Sequence, residues 1–259
     1  MKGKYFYLIH VQYLGFRFHG WAKQPGIKTV HHMIDRTLKY VLGKETPFKT
    51  LGSSRTDAMV SANHSVFELF VNDPLELDSF MVDVNANLPA DIRVLEIETI
   101  DETFNVIQSP KVKEYQYLFT YGEKPHPFCA SIVACFPWKL DIERMKEGAE
   151  VFQGSHNFQK YCTKPNENTV FNRTIDSSYI AENELYSASF FPEKSFIFFI
   201  SGKGFMRHQI RLMMGQLVQL GRGNISLDQL KASIQNPDEK PLETIAPASG
   251  LILNRINFD

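Results

Sequence analysis

Cysteine is scarce in this chain: Cys129, Cys135 and Cys162 are the only three among 259 residues. They form no Cys-x-x-Cys pair and have no histidines at ligand spacing beside them, which argues against a zinc module and against a disulfide framework. Long apolar runs are missing too. No stretch approaches the ~20 residues that span a bilayer, and Met1-Lys2-Gly3-Lys4 passes straight into a strand-like run without a cleavable signal pattern. The expected location is therefore cytoplasmic, with no membrane contact. Low-complexity tracts and internal repeats are absent. So is an excess of either charge: 28 Lys+Arg against 29 Asp+Glu leave a net charge of −1, not the basic balance expected of a nucleic-acid binder.

What is present is an apolar content of 43 %, enough to bury a substantial core as one large domain or two smaller ones. Tyr5–Tyr13 has the composition of a strand. Residues 29–42 carry Val30, Met33, Ile34, Leu38 and Val41 on one helical face, with Gly43 as the stop. Asp78 is placed to cap a short helix before an Asn-Leu-Pro turn. Residues 93–100 and 115–121 alternate as strands, and Asp141 caps a helix expected to end at Gly154. Residues 186–191 and 195–201 suggest a hairpin turning at Pro192. Ser226 with Gln229 forms a capping box, Ile225 and Leu230 its hydrophobic staple, and Asn236-Pro237 closes that helix. The class is α+β with antiparallel sheet. Gly122-Glu123-Lys124-Pro125-His126-Pro127 is the best linker candidate, giving residues 1–122 as an N-terminal lobe and 123–259 as a C-terminal lobe.

Two segments carry chemistry. In Gly52–Ser65, GSSRTDAMVSANHS, the hydroxyl and carboxylate side chains favour bonds to the backbone over helix, so a loop leads into a strand. It sets Asp57 two residues after Arg55. A carboxylate kept ionised by cations can act as nucleophile or base, although Arg-x-Asp in such a turn is most often an Asx-turn with a surface ion pair. In Gly202–Gly223, Met206, Ile210, Met213, Met214 and Leu217 fall at helical spacing, with Arg207 and Arg211 one turn apart. Like charges at that spacing are mildly unfavourable unless an anion lies near them.

Together these segments resemble the tRNA pseudouridine synthases of the A type. Arg55-Thr56-Asp57-Ala58 is similar to that family's catalytic loop, and Phe205–Gly215, FMRHQIRLMMG, to its active-site helix. Tyr13-x-Gly15 with Phe18-x-Gly20-Trp21, Asn85–Pro89 with Asp91-Ile92, and Tyr115-x-Tyr117 follow the family's order. So do Gly154-x-His156-Asn157-Phe158 and Ala246-Pro247 with Gly250-Leu251. The chain departs from the family pattern at Leu14, Ala22, Ser54, Met59 and Ser61. A Met at position 59, where the family has glycine, leads us to expect an altered backbone path or a narrower entrance. Phe104-Asn105-Val106-Ile107 replaces a pattern that ends in arginine.

The resemblance implies the pseudouridine synthase fold, with two α/β lobes whose mainly antiparallel sheets join edge to edge around a central cleft. It implies a homodimer acting on the anticodon arm of tRNA, by chemistry that uses no metal and no organic cofactor. It makes Asp57 the essential carboxylate, Arg211 its partner, and Tyr115 the aromatic that stacks on the uracil. Thr56 and Leu251 would line the substrate pocket. Arg17, Lys23, Arg55, Lys111, Lys113, Arg207 and His208 would face the RNA. Whether Asp57 attacks C1′ or removes the C2′ proton stays open at this level. An RNA-binding paralogue with little or no turnover is the alternative that the altered loop motivates.

Overall fold

In the computed structural model, residues 4–235 and 242–258 are described. The chain forms two compact units, Met1–Lys111 with Leu253–Asp259, and Val112–Ile252. Among the described residues, no helix is long and apolar enough to cross a membrane.

The first unit is an antiparallel sheet with two helices. Its strands are β1 (Tyr5–Tyr13), β2 (Lys49–Gly52), β3 (Ser61–Val71) and β4 (Ile92–Ile100). From Leu253 onward, β10 (Leu251–Asn257) also belongs to it. The order is β4-β1-β3-β10, with β2 against β3. Helix α1 (Val30–Val41) links β1 to β2, and α2 (Leu77–Asn87) links β3 to β4. Thr29 caps α1 by accepting from the His32 N–H, and Gly43 follows at φ 98°, as the sequence indicates. Asp78 is not the cap of α2. Glu76 holds that position without a side-chain bond, and Asp78 lies in the first turn, where its charge favours the helix dipole.

The second unit orders its strands β5-β9-β8-β7, all antiparallel, with β6 parallel to β5. These are β5 (Val112–Tyr121), β6 (Ala134–Phe136), β7 (Gly154–Asn157), β8 (Asn172–Glu182) and β9 (Phe196–Gly202). Gly122–Pro127 is a turn between β5 and β6, with Gly122 donating to the Phe136 carbonyl. Helices α3 (Ile142–Glu150), α4 (Gln209–Gly221) and α5 (Leu227–Gln235) complete the unit.

Asp141 caps α3 as expected, but the helix stops at Glu150, and Gly154 opens β7 at φ 103°. The capping box of α5 is present in both directions: the Ser226 N–H donates to Gln229 and the Gln229 N–H to Ser226. Asn236-Pro237 lies outside the described residues.

Two further expectations fail in this unit. Residues 186–191 are not a strand, and β9 pairs instead with β8. The Asn183 carboxamide accepts from the Leu185 and Tyr186 N–H groups and donates to the Tyr186 carbonyl, closing a local loop. Phe190 and Phe191 pack side by side on the cluster of Leu118, Cys129, Val133 and Ile197 rather than alternating. The second failure concerns Met206 and Arg207, which precede α4. His208 caps that helix in the left-handed region at φ 61°, so Arg207 and Arg211 are not one helical turn apart.

Candidate active site

The Asp57 loop is built by the opening segment of the first unit. The N–H groups of Val30 and His31, left without partners in the first turn of α1, donate to the Gly20 and Trp21 carbonyls. The Trp21 N–H donates to the Thr56 carbonyl at 3.2 Å, and the Met59 N–H to the Phe18 carbonyl at 3.0 Å. From β1, the Tyr13 hydroxyl shares a 2.9 Å hydrogen bond with the Thr56 hydroxyl. A methyl group on Gly20 would sit 2.5 Å from the Thr56 carbonyl, and Gly20 has φ 88°. Only glycine accommodates both demands.

Asp57 is half-buried in the loop between β2 and β3. Its carbonyl accepts from the Val60 N–H, closing a turn in which Met59 has φ 67°. This corrects the expectation of an altered backbone path: the methionine adopts the left-handed conformation that glycine favours. Ser61, another departure from the family pattern, accepts from the Gly15 N–H at 2.9 Å. Behind the loop, Trp21 is buried and stacks on His31 at a centroid separation of 5.4 Å. Burial lowers the His31 imidazole below its ordinary pKa, more than nearby Asp35 raises it. That favours a neutral ring bonded to Thr50 at 2.7 Å.

The Arg211 site is built within the second unit. α4 is buried along most of its length, and Gly215 lets the chain at Thr244 approach so closely that a methyl group there would lie 2.0 Å from the Thr244 carbonyl. One turn earlier, Arg211 holds the same segment twice. Its Nε donates to the Ala246 carbonyl at 2.8 Å, and its own carbonyl accepts from the Ala246 N–H at 3.0 Å. The buried Tyr117 hydroxyl donates to the Pro247 carbonyl at 2.7 Å. Burial raises that phenol's pKa, with the positive charge of Arg211 opposing the rise. Tyr115, half-buried on β5, meets Phe205 edge-on at 5.2 Å, and Leu251 is buried at the start of β10.

The structure sorts the expected RNA-facing cations. Arg17 donates from Nε to Asp91 at 2.6 Å, and Lys23 pairs with Asp35. Lys113 is half-buried on β5, and burial lowers its amine pKa. Arg55, Lys111 and Arg207 are exposed, and the His208 ring bonds Thr163 at 2.8 Å. The Asn105 side chain accepts from the Ile107 and Gln108 N–H groups, while the Val106 N–H donates to Glu68, so the Phe104–Ile107 departure is a folded turn with Ile107 exposed. Sequence reasoning gave no individual role to Tyr13, Gly20 or Tyr117. Their positions in the landmark motifs were the available signal.

Comparison with known proteins supplies the family. A model described as "tRNA pseudouridine synthase" matches residues 149–259. A "tRNA pseudouridine synthase A" of Acetivibrio thermocellus is 30 % identical over 249 residues, covering 96 % of this chain and 97 % of the relative. The chain belongs to the tRNA pseudouridine synthase A family. Relatives of the same name from Clostridium kluyveri and Limosilactobacillus reuteri are 29 % and 28 % identical, covering 96 % and 98 % of this chain and 97 % of each relative. The family's pseudouridine synthase fold accounts for the α+β, mainly antiparallel architecture of both units.

Proposed function

We propose that this chain is a tRNA pseudouridine synthase, an isomerase that converts uridine to pseudouridine in the anticodon arm. The observation that carries the reading is the Arg55-Thr56-Asp57 loop, fixed by Tyr13, Gly20 and Trp21 in a chain that matches a tRNA pseudouridine synthase A over 96 % of its length.

The reaction breaks the bond from C1′ to uracil N1, turns the base, and joins C5 to C1′ with loss of the C5 proton and protonation of N1. Atoms and electrons balance within the substrate. Asp57 is the carboxylate, either adding to C1′ or taking the C2′ proton, and both routes need it ionised. The Arg211 guanidinium favours that ionised form. Its anchoring to Ala246 holds the arm in one orientation, which limits the reorganisation needed during the reaction.

Tyr115 stacks on the base once it has left its helix and relays the C5 proton. Thr56 and Leu251 line the pocket. Arg55, Arg207, His208, Lys111 and Lys113 meet the RNA backbone, whereas Arg17 and Lys23 would have to leave Asp91 and Asp35 to join them. The working form is a cytoplasmic homodimer that holds one tRNA.

The test is tritium release from tRNA labelled at uracil C5. Wild-type protein releases tritium and Asp57→Ala releases none. Tight tRNA binding with no release by the wild type would establish the RNA-binding paralogue instead. The altered loop motivated that alternative, and the left-handed φ of Met59 weakens its motive.

A further inference from the structure

Asp57 opens a four-residue turn that the Val60 N–H closes on the Asp57 carbonyl at 3.2 Å. Met59 holds the third position at φ 67°, where a positive φ ordinarily selects glycine. A residue with a side chain is disfavoured in that conformation. Full burial does not offset the strain, because Met59 is 36 % exposed, and Arg55 and Ala58 are exposed on the same loop. Strain kept for an apolar group that faces solvent beside Asp57 points to a contact made outside the fold.

Phe18 ties this turn to a cation. Its carbonyl accepts from the Met59 N–H at 3.0 Å, and its buried ring has the Lys28 ammonium 5.2 Å from its centre. The His19 N–H donates to the Lys28 carbonyl at 3.0 Å, which fixes the backbone there. Residues 14–28 also carry Arg17, paired with Asp91, and Lys23, paired with Asp35. Lys28 is exposed and forms no ion pair among the described residues. A cation over an aromatic face keeps its place without being neutralised. An exposed thioether and an un-neutralised ammonium, both anchored on Phe18, fit the two halves of a nucleotide: the polarizable sulfur packs on the face of a base, and the ammonium meets a phosphate.

We propose that Met59 and Lys28 form a nucleotide-recognition lip on the Asp57 loop, with Met59 packing against the base next to the extracted uridine and Lys28 holding a phosphate beside it. The role rests on the synthase reading. Extracting a uridine breaks its stacking on the neighbouring base, and an apolar wedge set against that neighbour opposes restacking. Met59 is thus a positioning residue that takes no part in bond making. It acts at a position where the family pattern has glycine, which offers no side chain for such a contact.

The experiment uses the full chain and tRNA labelled at uracil C5, with single-turnover tritium release measured at saturating protein and tRNA Kd measured by filter binding across a salt series. Met59→Gly frees the strained backbone, so folding is retained. It should slow release about tenfold with Kd changed by less than about twofold, and Met59→Leu, which keeps an apolar wedge, should stay within about threefold of wild type. Lys28→Gln should reduce the slope of log K against log salt by about 0.7–0.9. Wild-type release by Met59→Gly, or release by Met59→Leu as slow as by Met59→Gly, would overturn the wedge and leave the synthase reading standing. An unchanged slope in Lys28→Gln would overturn the phosphate contact. A wild type that binds tRNA and releases no tritium would overturn the synthase reading, and the lip with it.

Discussion

Met59 holds a left-handed φ of 67° without the freedom of glycine. For an L-residue that conformation costs roughly 1–2 kcal/mol, partly offset by the entropy glycine loses on folding. Met59→Gly should therefore stabilise the protein by about 0.5–1 kcal/mol, a rise of roughly 1–3 °C in Tm. A lower Tm would mean that the thioether makes packing contacts worth more than the strain. Gly20→Ala is the converse case. It combines φ 88° with a methyl group 2.5 Å from the Thr56 carbonyl, and should cost about 1–3 kcal/mol. Because the clash falls on the Asp57 loop, tritium release should drop more than global stability accounts for. Glu68 gives a pH-dependent case. It is 3 % exposed, and burial raises its carboxyl pKa more than the Val106 N–H and Lys49 lower it. With the folded pKa above the unfolded one, its favourable contribution is fully present below the unfolded pKa and is lost as pH rises through the folded value. Glu68→Gln keeps an acceptor for Val106, so it should be more stable than wild type at pH 7, with the advantage shrinking toward pH 4. Equal denaturation midpoints for the two proteins across that range would count against a raised pKa.

Among the elements, α4 and β5 define how the 246–251 segment sits, since Arg211 fixes Ala246 and Tyr117 fixes Pro247. Tyr117→Phe removes one of these anchors at a stability cost of about 1 kcal/mol. Its expected signature is a fall in kcat with tRNA Kd nearly unchanged, measured by single-turnover release against filter binding; a change in Kd alone would assign Tyr117 to RNA recognition. Such cross-chain anchors were not legible in the sequence, because they join residues 35 and 130 positions apart through backbone carbonyls that any residue offers. What was legible is local. Asp141 and the Ser226–Gln229 box announce helix starts through side chains that satisfy N–H groups within three residues. The β1 strand showed in its composition. Local patterns misled where a side chain altered the path: Asn183 turned an apparent hairpin arm into a loop, and the left-handed His208 separated Arg207 from the helix that its spacing suggested. Asp57 and Arg211 stood out through landmark order, whereas the supports that hold them had to be seen in three dimensions.

For the whole molecule, a net charge of −1 has to be reconciled with a polyanionic substrate. Net charge governs long-range attraction, but phosphate contacts act within a Debye length of about 8 Å at physiological salt, so the local disposition of cations decides. Arg17 and Lys23 are already neutralised by Asp91 and Asp35, and a phosphate would have to compete with those carboxylates. Asp91 has a side chain only 10 % exposed, so it depends on Arg17 for compensation. Lys111 is exposed, at the end of the first unit. The two cations should therefore separate by readout. Lys111→Ala should leave Tm unchanged and reduce the slope of log K against log salt by about 0.7–0.9 if it meets one phosphate. Arg17→Ala should lower Tm by uncovering Asp91 and change the salt slope little. The reverse pattern, with Arg17 setting the slope and Lys111 setting stability, would show that the Arg17–Asp91 pair opens when tRNA binds and that the Lys111 side chain has a partner in the fold.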